Sequence, residues 1–261
     1  MNIIYKIVTD RIIACLKAGE VPWQKPLPAK KSACNFISKH EYTGINRVIT
    51  NMGGWSIPYF VTASQIMHLG GRIQKGAKST PILYFNVKEK EKADGTIDHQ
   101  TILKYSNVFN LSQTTLDLPI EPVVSNELTP TDIADNIINA CGVDTKLQVY
   151  YKQNDLSSYY HILFNQIAFK EIYDPSPEDT MQDYTVDHLT VELTTSFIMR
   201  EISLGAIEQK ADHVASWLSV LEKDPAMIIT AAKAAEAASK KILSKNILPL
   251  DYNIFGANKG A

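Results

Sequence analysis

The sequence predicts an α+β protein in which a small N-terminal α+β domain precedes a mostly helical domain. Hydrophobic residues make up 45% of the 261 residues and charged residues 21%, which is the balance of a globular protein with a buried core. Segments 81–87 and 101–109 are rich in β-forming residues and flank a charged stretch in which Asp94-Gly95 provides a turn. Beyond residue 130, the composition and the apolar spacing are mostly those of helices.

The first predicted element is an amphipathic helix. Apolar residues recur at helical spacing from Ile3 to Leu16, and Gly19 with Pro22 ends the pattern. A loop rich in proline, lysine, asparagine and aromatic residues is predicted over 22–58.

A short helix is predicted before the first long strand. Thr62 and Gln65 have the spacing of a capping box, because the Gln65 side chain can reach back to the backbone of Thr62. Gly70-Gly71 ends this helix.

A linker separates the two predicted domains. Residues 117–130 contain three prolines and show little periodicity. The predicted organisation is therefore an N-terminal domain over 1–120, a linker over 121–130 and a C-terminal domain over 131–261.

The C-terminal domain is predicted to be helical apart from one strand. Ser176-Pro177 has the character of a helix start, and the alanine-rich run 231–238 is a strong helix former. The predicted elements are a helix over 131–140 that ends at Gly142, a strand over 146–153, and helices from about 176, over 211–222 and over 225–243.

Charge is distributed unevenly along the chain. The net charge is −2, but residues 1–125 carry 15 basic and 9 acidic residues, whereas residues 126–261 carry 11 and 19. Residues 1–80 alone carry 11 basic and 3 acidic residues. A basic surface of this kind can bind a polyphosphate even in an acidic protein, and the alternative is a solvated basic face without a partner.

The cysteine pattern and the hydropathy indicate the cellular location to be expected. Cys15, Cys34 and Cys141 are too widely spaced for a disulfide framework or a CxxC metal site, so a reducing, cytoplasmic location is expected. No run approaches the roughly 20 apolar residues of a membrane span. The N-terminus alternates apolar and charged residues, so no signal peptide is expected.

The N-terminal half combines cations with aromatic rings, which is the chemistry that holds single-stranded nucleic acid. Cations follow the phosphates while flat rings stack on exposed bases. Trp23 and Trp55 could instead be core anchors, because large aromatic side chains are mostly buried. The candidate DNA-binding residues are Trp23, Lys25, Tyr42, Asn46, Arg47, Trp55, Arg72, Lys75 and Lys78.

The order of these motifs resembles the N-terminal domain of ArdC-type antirestriction proteins. The segments PWQKP, Asn35, YTGIN, FVTASQIMHLGGRIQKGAKSTPILYF and YSNVFNLSQT follow one another over about residues 1–120. The resemblance implies non-sequence-specific binding of single-stranded DNA, with Asn35 among the binding residues, and carriage on a plasmid or conjugative element. Leu27 stands where the family often has a second tryptophan, which implies one stacked base fewer.

In this family the second domain is a zincin-like metallopeptidase, but its zinc motif is absent from this sequence. Such a site needs two histidines four residues apart, a glutamate beside the first and a third ligand from a later helix. No HExxH occurs here, and no two of the six histidines lie four apart. Residues 184–193 resemble the family's later acidic helix, and residues 212–243 resemble its terminal helices.

Two alignments account for the missing motif. In one, residues 159–169 resemble a YYxTLFHELAH helix, so Asn165 and Phe169 replace the two histidines and Gln166 replaces the general base. In the other, 159–164 is a strand paired with 146–153, and the active-site helix has been deleted. Both alignments predict a pseudoenzyme without a cofactor, because amides are poor zinc ligands and phenylalanine cannot bind metal.

Other functions remain as alternatives. His188 and Glu192 lie one helical turn apart and are the candidates for a rearranged metal site. The acidic C-terminal half could also serve as a protein-interaction module, for example toward a host restriction enzyme. Ser157-Ser158 and Cys141 lack a sequence context for nucleophilic catalysis, and the sequence contains neither a P-loop nor GxGxxG.

Overall fold

A computed structural model gives the fold. It begins with helix α1 (Ile3–Lys17), as the apolar spacing predicts, and Gly19 follows the helix with φ +78. The residues that the structure describes are 3–24, 32–91, 97–119, 129–144, 156–173, 181–205 and 211–245.

The N-terminal half contains one four-stranded sheet, with strand order β1-β2-β4-β3. β1 pairs with β2 in parallel, and the other pairs are antiparallel. Both predicted strands are present and longer than predicted, whereas the predicted turn at Asp94-Gly95 lies outside the described residues. The strands are β1 (Cys34–Asn35), β2 (Tyr59–Thr62), β3 (Thr80–Glu91) and β4 (Ile97–Asn110).

Two short helices flank the second strand. Helix α3 (Ala63–His68) has the predicted capping box between Thr62 and Gln65. Helix α2 (Ile45–Asn51) contradicts the prediction of a continuous loop over 22–58. Its many β-branched residues give a weak helix signal, and it is stabilised by packing because most of its residues are buried.

The C-terminal half is helical, which confirms the predicted α+β class. A π-helical turn, Leu163–Ala168, joins α5 to α6 without a break in the helix. Within the described part of this half, the helices are α4 (Pro130–Ala140), α5 (Leu156–Ile162), α6 (Phe169–Ile172), α7 (Met181–Glu201), α8 (Ala211–Lys223) and α9 (Met227–Leu243).

The helix predicted over 131–140 is present as α4, with Thr129 as its cap and Pro130 as its first residue, whereas most of the predicted linker lies outside the described residues. Residues 159–164 are helical, so the alternative in which they form a strand is wrong. The predicted strand over 146–153 lies outside the described residues.

The largest hydrophobic core is shared by both halves. Val8 and Ile12 of α1 and Leu83 of β3 belong to the same buried cluster as Phe197 of α7 and Trp217 of α8. Each half therefore buries apolar surface against the other, and the predicted division into separate domains stays a prediction. Among the described residues, no helix is both long and apolar enough to cross a membrane.

Candidate nucleic-acid interface and zincin-like site

The helix at the predicted zinc position presents two aromatic rings to α7. Tyr160 and Phe164 lie four residues apart and stack with their centroids 5.6 Å apart. The Phe164 ring lies 5.3 Å from the ring of His188. The Tyr160 hydroxyl donates a hydrogen bond to Oε2 of Glu192 at 2.5 Å. Aromatic packing therefore occupies the space between this helix and α7.

Glu192 is fully buried, and both of its carboxylate oxygens accept hydrogen bonds. Besides Tyr160, the partner is Gln24, whose Nε2 donates to Oε1 at 2.9 Å. Gln24 comes from the N-terminal half, 168 residues earlier in the chain. Neither donor was predicted from the sequence. The four-residue spacing of Tyr160 and Phe164 indicates that both rings lie on one helix face, whereas nothing in the sequence connects Gln24 with Glu192.

His188 is a packed side chain. Its ring lies 4.5 Å from the ring of His213 and 6.0 Å from the ring of Trp217, both on α8. Burial, and secondarily the neighbouring His213, lowers the pKa of His188 to about 4. The ring is therefore neutral at neutral pH.

The residues aligned with the zinc motif do not assemble a donor set. Asn165 is exposed, Gln166 is half-buried, and the half-buried Phe169 ring lies 4.8 Å from the ring of Tyr173. Among the residues that the structure describes, no three histidine, cysteine, aspartate or glutamate side chains are grouped to hold a metal ion. A zincin-type metal does not fit this site, because its positions carry amides and rings and the nearby Glu192 is already hydrogen-bonded.

In the N-terminal half, the stacking role predicted for Trp23 is corrected to a core role. Trp23 is only 3% exposed and packs edge-to-face on Trp217 with a centroid distance of 5.3 Å. A ring buried in this way has no free face for a DNA base, so the core-anchor alternative holds for Trp23.

Arg47 is likewise a structural residue rather than a phosphate ligand. It is buried, forms ion pairs with Glu201 and with Glu236 (3.6 Å), and places its guanidinium 4.9 Å from the Phe197 ring centroid. These partners lie on α7 and α9, so Arg47 joins the two halves. Burial, and secondarily the positive charge of Arg47, lowers the pKa of the neighbouring Arg200 to about 9.

Asn46 uses its side chain inside the fold. Its amide donates to the carbonyl of Leu83 at 2.7 Å and accepts from the amide of Leu83 at 2.8 Å, so it pairs with the edge of β3 like a neighbouring strand.

Asn35 and Tyr42 are also structural. The Asn35 side chain accepts from the backbone amides of Ile37 and Ser38, both at 3.0 Å, and donates to Gln65. Burial raises the pKa of Tyr42 to about 12, although a hydrogen bond with Asn35 opposes that shift. Like Asn46, neither residue is available as a primary DNA contact.

Arg72, Lys75 and Lys78 are the predicted cations that the structure leaves exposed. They lie on the loop over 69–79, which we call the cation loop. Its backbone is fixed to the end of β4, because Thr115 N donates to the carbonyl of Arg72 at 2.9 Å and Gln113 Nε2 donates to that of Lys78 at 3.0 Å. Trp55 is half-buried and Lys25 lies outside the described residues.

The fold and site define a class: an α+β protein whose N-terminal half packs on a zincin-like helical scaffold, in whose described residues no metal-ligating side chains are grouped. Residues 2–109 match the N-terminal domain of anti-restriction factor ArdC, and residues 173–234 match the zincin-like metallopeptidase family MPTase-PolyVal. The chain therefore combines a domain of the ArdC N-terminal type with a zincin-like domain.

Solved structures agree with this assignment. The crystal structure of antirestriction ArdC protein from the R388 plasmid, in its metal-free form, superposes with a TM-score of 0.69 at 24% identity and covers 93% of this chain and 97% of that chain. The Mn(II)-bound structure of the same protein gives a TM-score of 0.67 at 25% identity, with the same coverage.

Sequence relatives extend over most of this chain. Uncharacterized protein y4eC from Sinorhizobium fredii is 25% identical over 274 residues, with 89% of each chain covered. Two Escherichia coli proteins named DNA primase TraC are 23% and 24% identical and cover 92% and 91% of this chain. This chain spans only 20% and 27% of those primases.

Proposed function

We propose that this protein binds single-stranded DNA without sequence preference and protects incoming DNA of a mobile element from restriction. The observation that carries the proposal is the cation loop, where Arg72, Lys75 and Lys78 are exposed on a backbone that is fixed to β4. Cations on a fixed backbone can follow phosphates at a small entropic cost.

Charge supports the same partner. Residues 1–80 carry 11 basic and 3 acidic residues, and Arg11 of α1 donates to the carbonyl of Ser79, the last residue of the cation loop. The ArdC match over residues 2–109 and the DNA primase name of two relatives are in keeping with a DNA partner.

We further propose that the C-terminal half has no peptidase activity. Gln166 stands at the aligned general-base position and cannot take a proton from water. Glu192, which contacts that helix through Tyr160, is buried and accepts hydrogen bonds from Gln24 and Tyr160. The scaffold then serves to support the N-terminal half through the shared core.

A fluorescence-anisotropy titration of the full chain with an unstructured labelled oligothymidylate tests DNA binding. We expect binding at low salt that weakens steeply as salt rises, with little dependence on base sequence. Absence of binding at about 50 mM salt, where electrostatic binding is strong, contradicts the proposal.

Elemental analysis tests the second part. The purified full chain is dialysed against Zn²⁺ or Mn²⁺, freed of excess ion and measured. We expect far less than one ion per chain. A stoichiometric transition metal would overturn the pseudoenzyme proposal and leave the DNA-binding proposal intact.

A further inference from the structure

The β3–β4 pair carries three exposed aromatic rings. Phe85 is 61% exposed, and Tyr84 and Tyr105 are each 44% exposed. Among the described residues, these are the only aromatic side chains among the strongly exposed large hydrophobics. An exposed aromatic ring on a strand contributes little to folding. Three exposed rings close together therefore indicate an interaction surface.

The strand register places the rings on both faces of the β3–β4 pair. Phe85 is opposite Leu103, and Tyr105 is opposite Leu83, so Phe85 and Tyr105 are diagonal neighbours on the same face. Tyr84 lies on the other face, opposite Lys104. Although β3 is the edge strand, Asn46 pairs with its backbone at Leu83, so a ligand here would contact the exposed Tyr84 and Phe85 side chains rather than the backbone.

Cations lie within this aromatic group and at one end of it. Lys104 is the cross-strand partner of Tyr84. The cation loop leads directly into Thr80, the first residue of β3, which is four residues or roughly 13 Å from Tyr84 along the strand. This combination of cations and flat rings fits single-stranded DNA, because the cations can bind its phosphates while the rings stack on its unpaired bases. An apolar protein partner would be bound by the rings alone and would not require the cations.

We propose that the aromatic edge, consisting of Tyr84, Phe85 and Tyr105, is the surface on which bases of single-stranded DNA stack. Lys104 and the cation loop bind the flanking phosphates. This inference rests on the proposed DNA-binding function and names stacking residues that were not among the candidates from the sequence. It replaces Trp23, which is buried, as the source of aromatic contacts.

The test compares an oligothymidylate with an abasic oligonucleotide of equal length, which keeps the phosphates and lacks the bases. The variants are Tyr84→Ala, Phe85→Ala, Tyr105→Ala and their triple combination. The control is Ile3→Ala, another exposed apolar side chain, 73% exposed at the start of α1. Tyr105→Phe keeps the ring and serves as the conservative variant.

We expect each single alanine variant to raise the Kd for oligothymidylate at least about fivefold, since a stacked base contributes about 1–3 kcal/mol. The triple variant should bind the two oligonucleotides equally, with an unchanged salt slope. Ile3→Ala should behave like the wild type, and Tyr105→Phe, which keeps the ring, should bind oligothymidylate more tightly than Tyr105→Ala does.

The outcomes separate the two proposals. If the wild type binds neither oligonucleotide, the proposed function fails. If the wild type prefers oligothymidylate and the triple variant keeps that preference, the aromatic edge is not the stacking surface, while DNA binding stands. If the triple variant changes only the oligomeric state in light scattering, the edge pairs with a second copy of this chain, which also overturns the inference.

Discussion

The cation loop and the Glu192 site differ in whether their charged side chains are exposed to solvent or buried. In the loop, Arg72, Lys75 and Lys78 are exposed while the backbone beneath them is fixed. At Glu192, the charge is fully buried and hydrogen-bonded on both oxygens. The charges of the cation loop are therefore available to a ligand, whereas the charge of Glu192 stabilises packing.

The largest effect is expected from Trp23→Ala, because it removes a buried ring from the shared core. We expect the free energy of unfolding to fall by about 3–5 kcal/mol in urea denaturation. Trp55→Ala, at a half-buried position, should cost clearly less. A normally stable Trp23→Ala protein with weakened DNA binding would contradict the core assignment.

Arg47→Ala tests the ionic contact between the halves. The substitution leaves Glu201 and Glu236 without their buried partner, so unfolding should become easier by about 3 kcal/mol. The control is Arg72→Ala on the exposed loop, which should leave stability within about 0.5 kcal/mol of the wild type. Equal stability of the two variants in thermal denaturation would break the contrast between buried and exposed arginines.

Glu192→Gln tests whether the carboxylate is structural. Gln24 and Tyr160 both donate to it, and an amide can accept only through its oxygen, so the loss should be about 1.5–3 kcal/mol of unfolding free energy. Glu222→Gln, in an exposed pair with Lys17, should cost about 0–1 kcal/mol. A stable Glu192→Gln protein that instead loses bound metal would identify a working metal site.

The double variant Lys75→Ala/Lys78→Ala tests the cation loop without disturbing the core. The slope of log affinity against log salt should decrease in magnitude by about 1.4 for single-stranded DNA, since each lost phosphate contact removes about 0.7. Lys223→Ala/Lys233→Ala removes two exposed lysines from the C-terminal half and is the matched control. An identical slope for both double variants would exclude the loop from the interface.

The smallest effect concerns pH. The folded pKa of His188 is about 4, below the ordinary 6.5, so between those pH values the unfolded chain takes up a proton that the folded chain does not. Its contribution to stability is therefore full above pH 6.5 and decreases as the pH falls to 4. His188→Asn should reduce the difference between melting temperatures at pH 7.5 and 5, and an unchanged difference would count against the buried, neutral ring.

Local patterns predicted much of the fold. The capping box at Thr62, the helix predicted over 131–140 and the two long strands depend on neighbouring residues, and all of them are present. Helix α2 was not predicted, because its stability comes from burial against distant residues rather than from propensity.

The site residues were harder to predict than the fold. A basic and aromatic composition indicates a nucleic-acid partner, but it does not distinguish Arg47, which pairs with Glu201, from Arg72, which is exposed. Trp23 and Phe85 are equally suited to stacking by residue type, yet one is 3% and the other 61% exposed. The packing of strands and helices decides which of these side chains is exposed to solvent.

The sequence by itself determined the α+β order, the basic N-terminal 80 residues and the absence of HExxH, because each is a property of composition or short-range spacing. Only the tertiary structure decided that Gln24 meets Glu192 and that Arg47 joins the halves. Those contacts span 168 and 154 residues of chain, and they depend on how the shared core brings distant helices together.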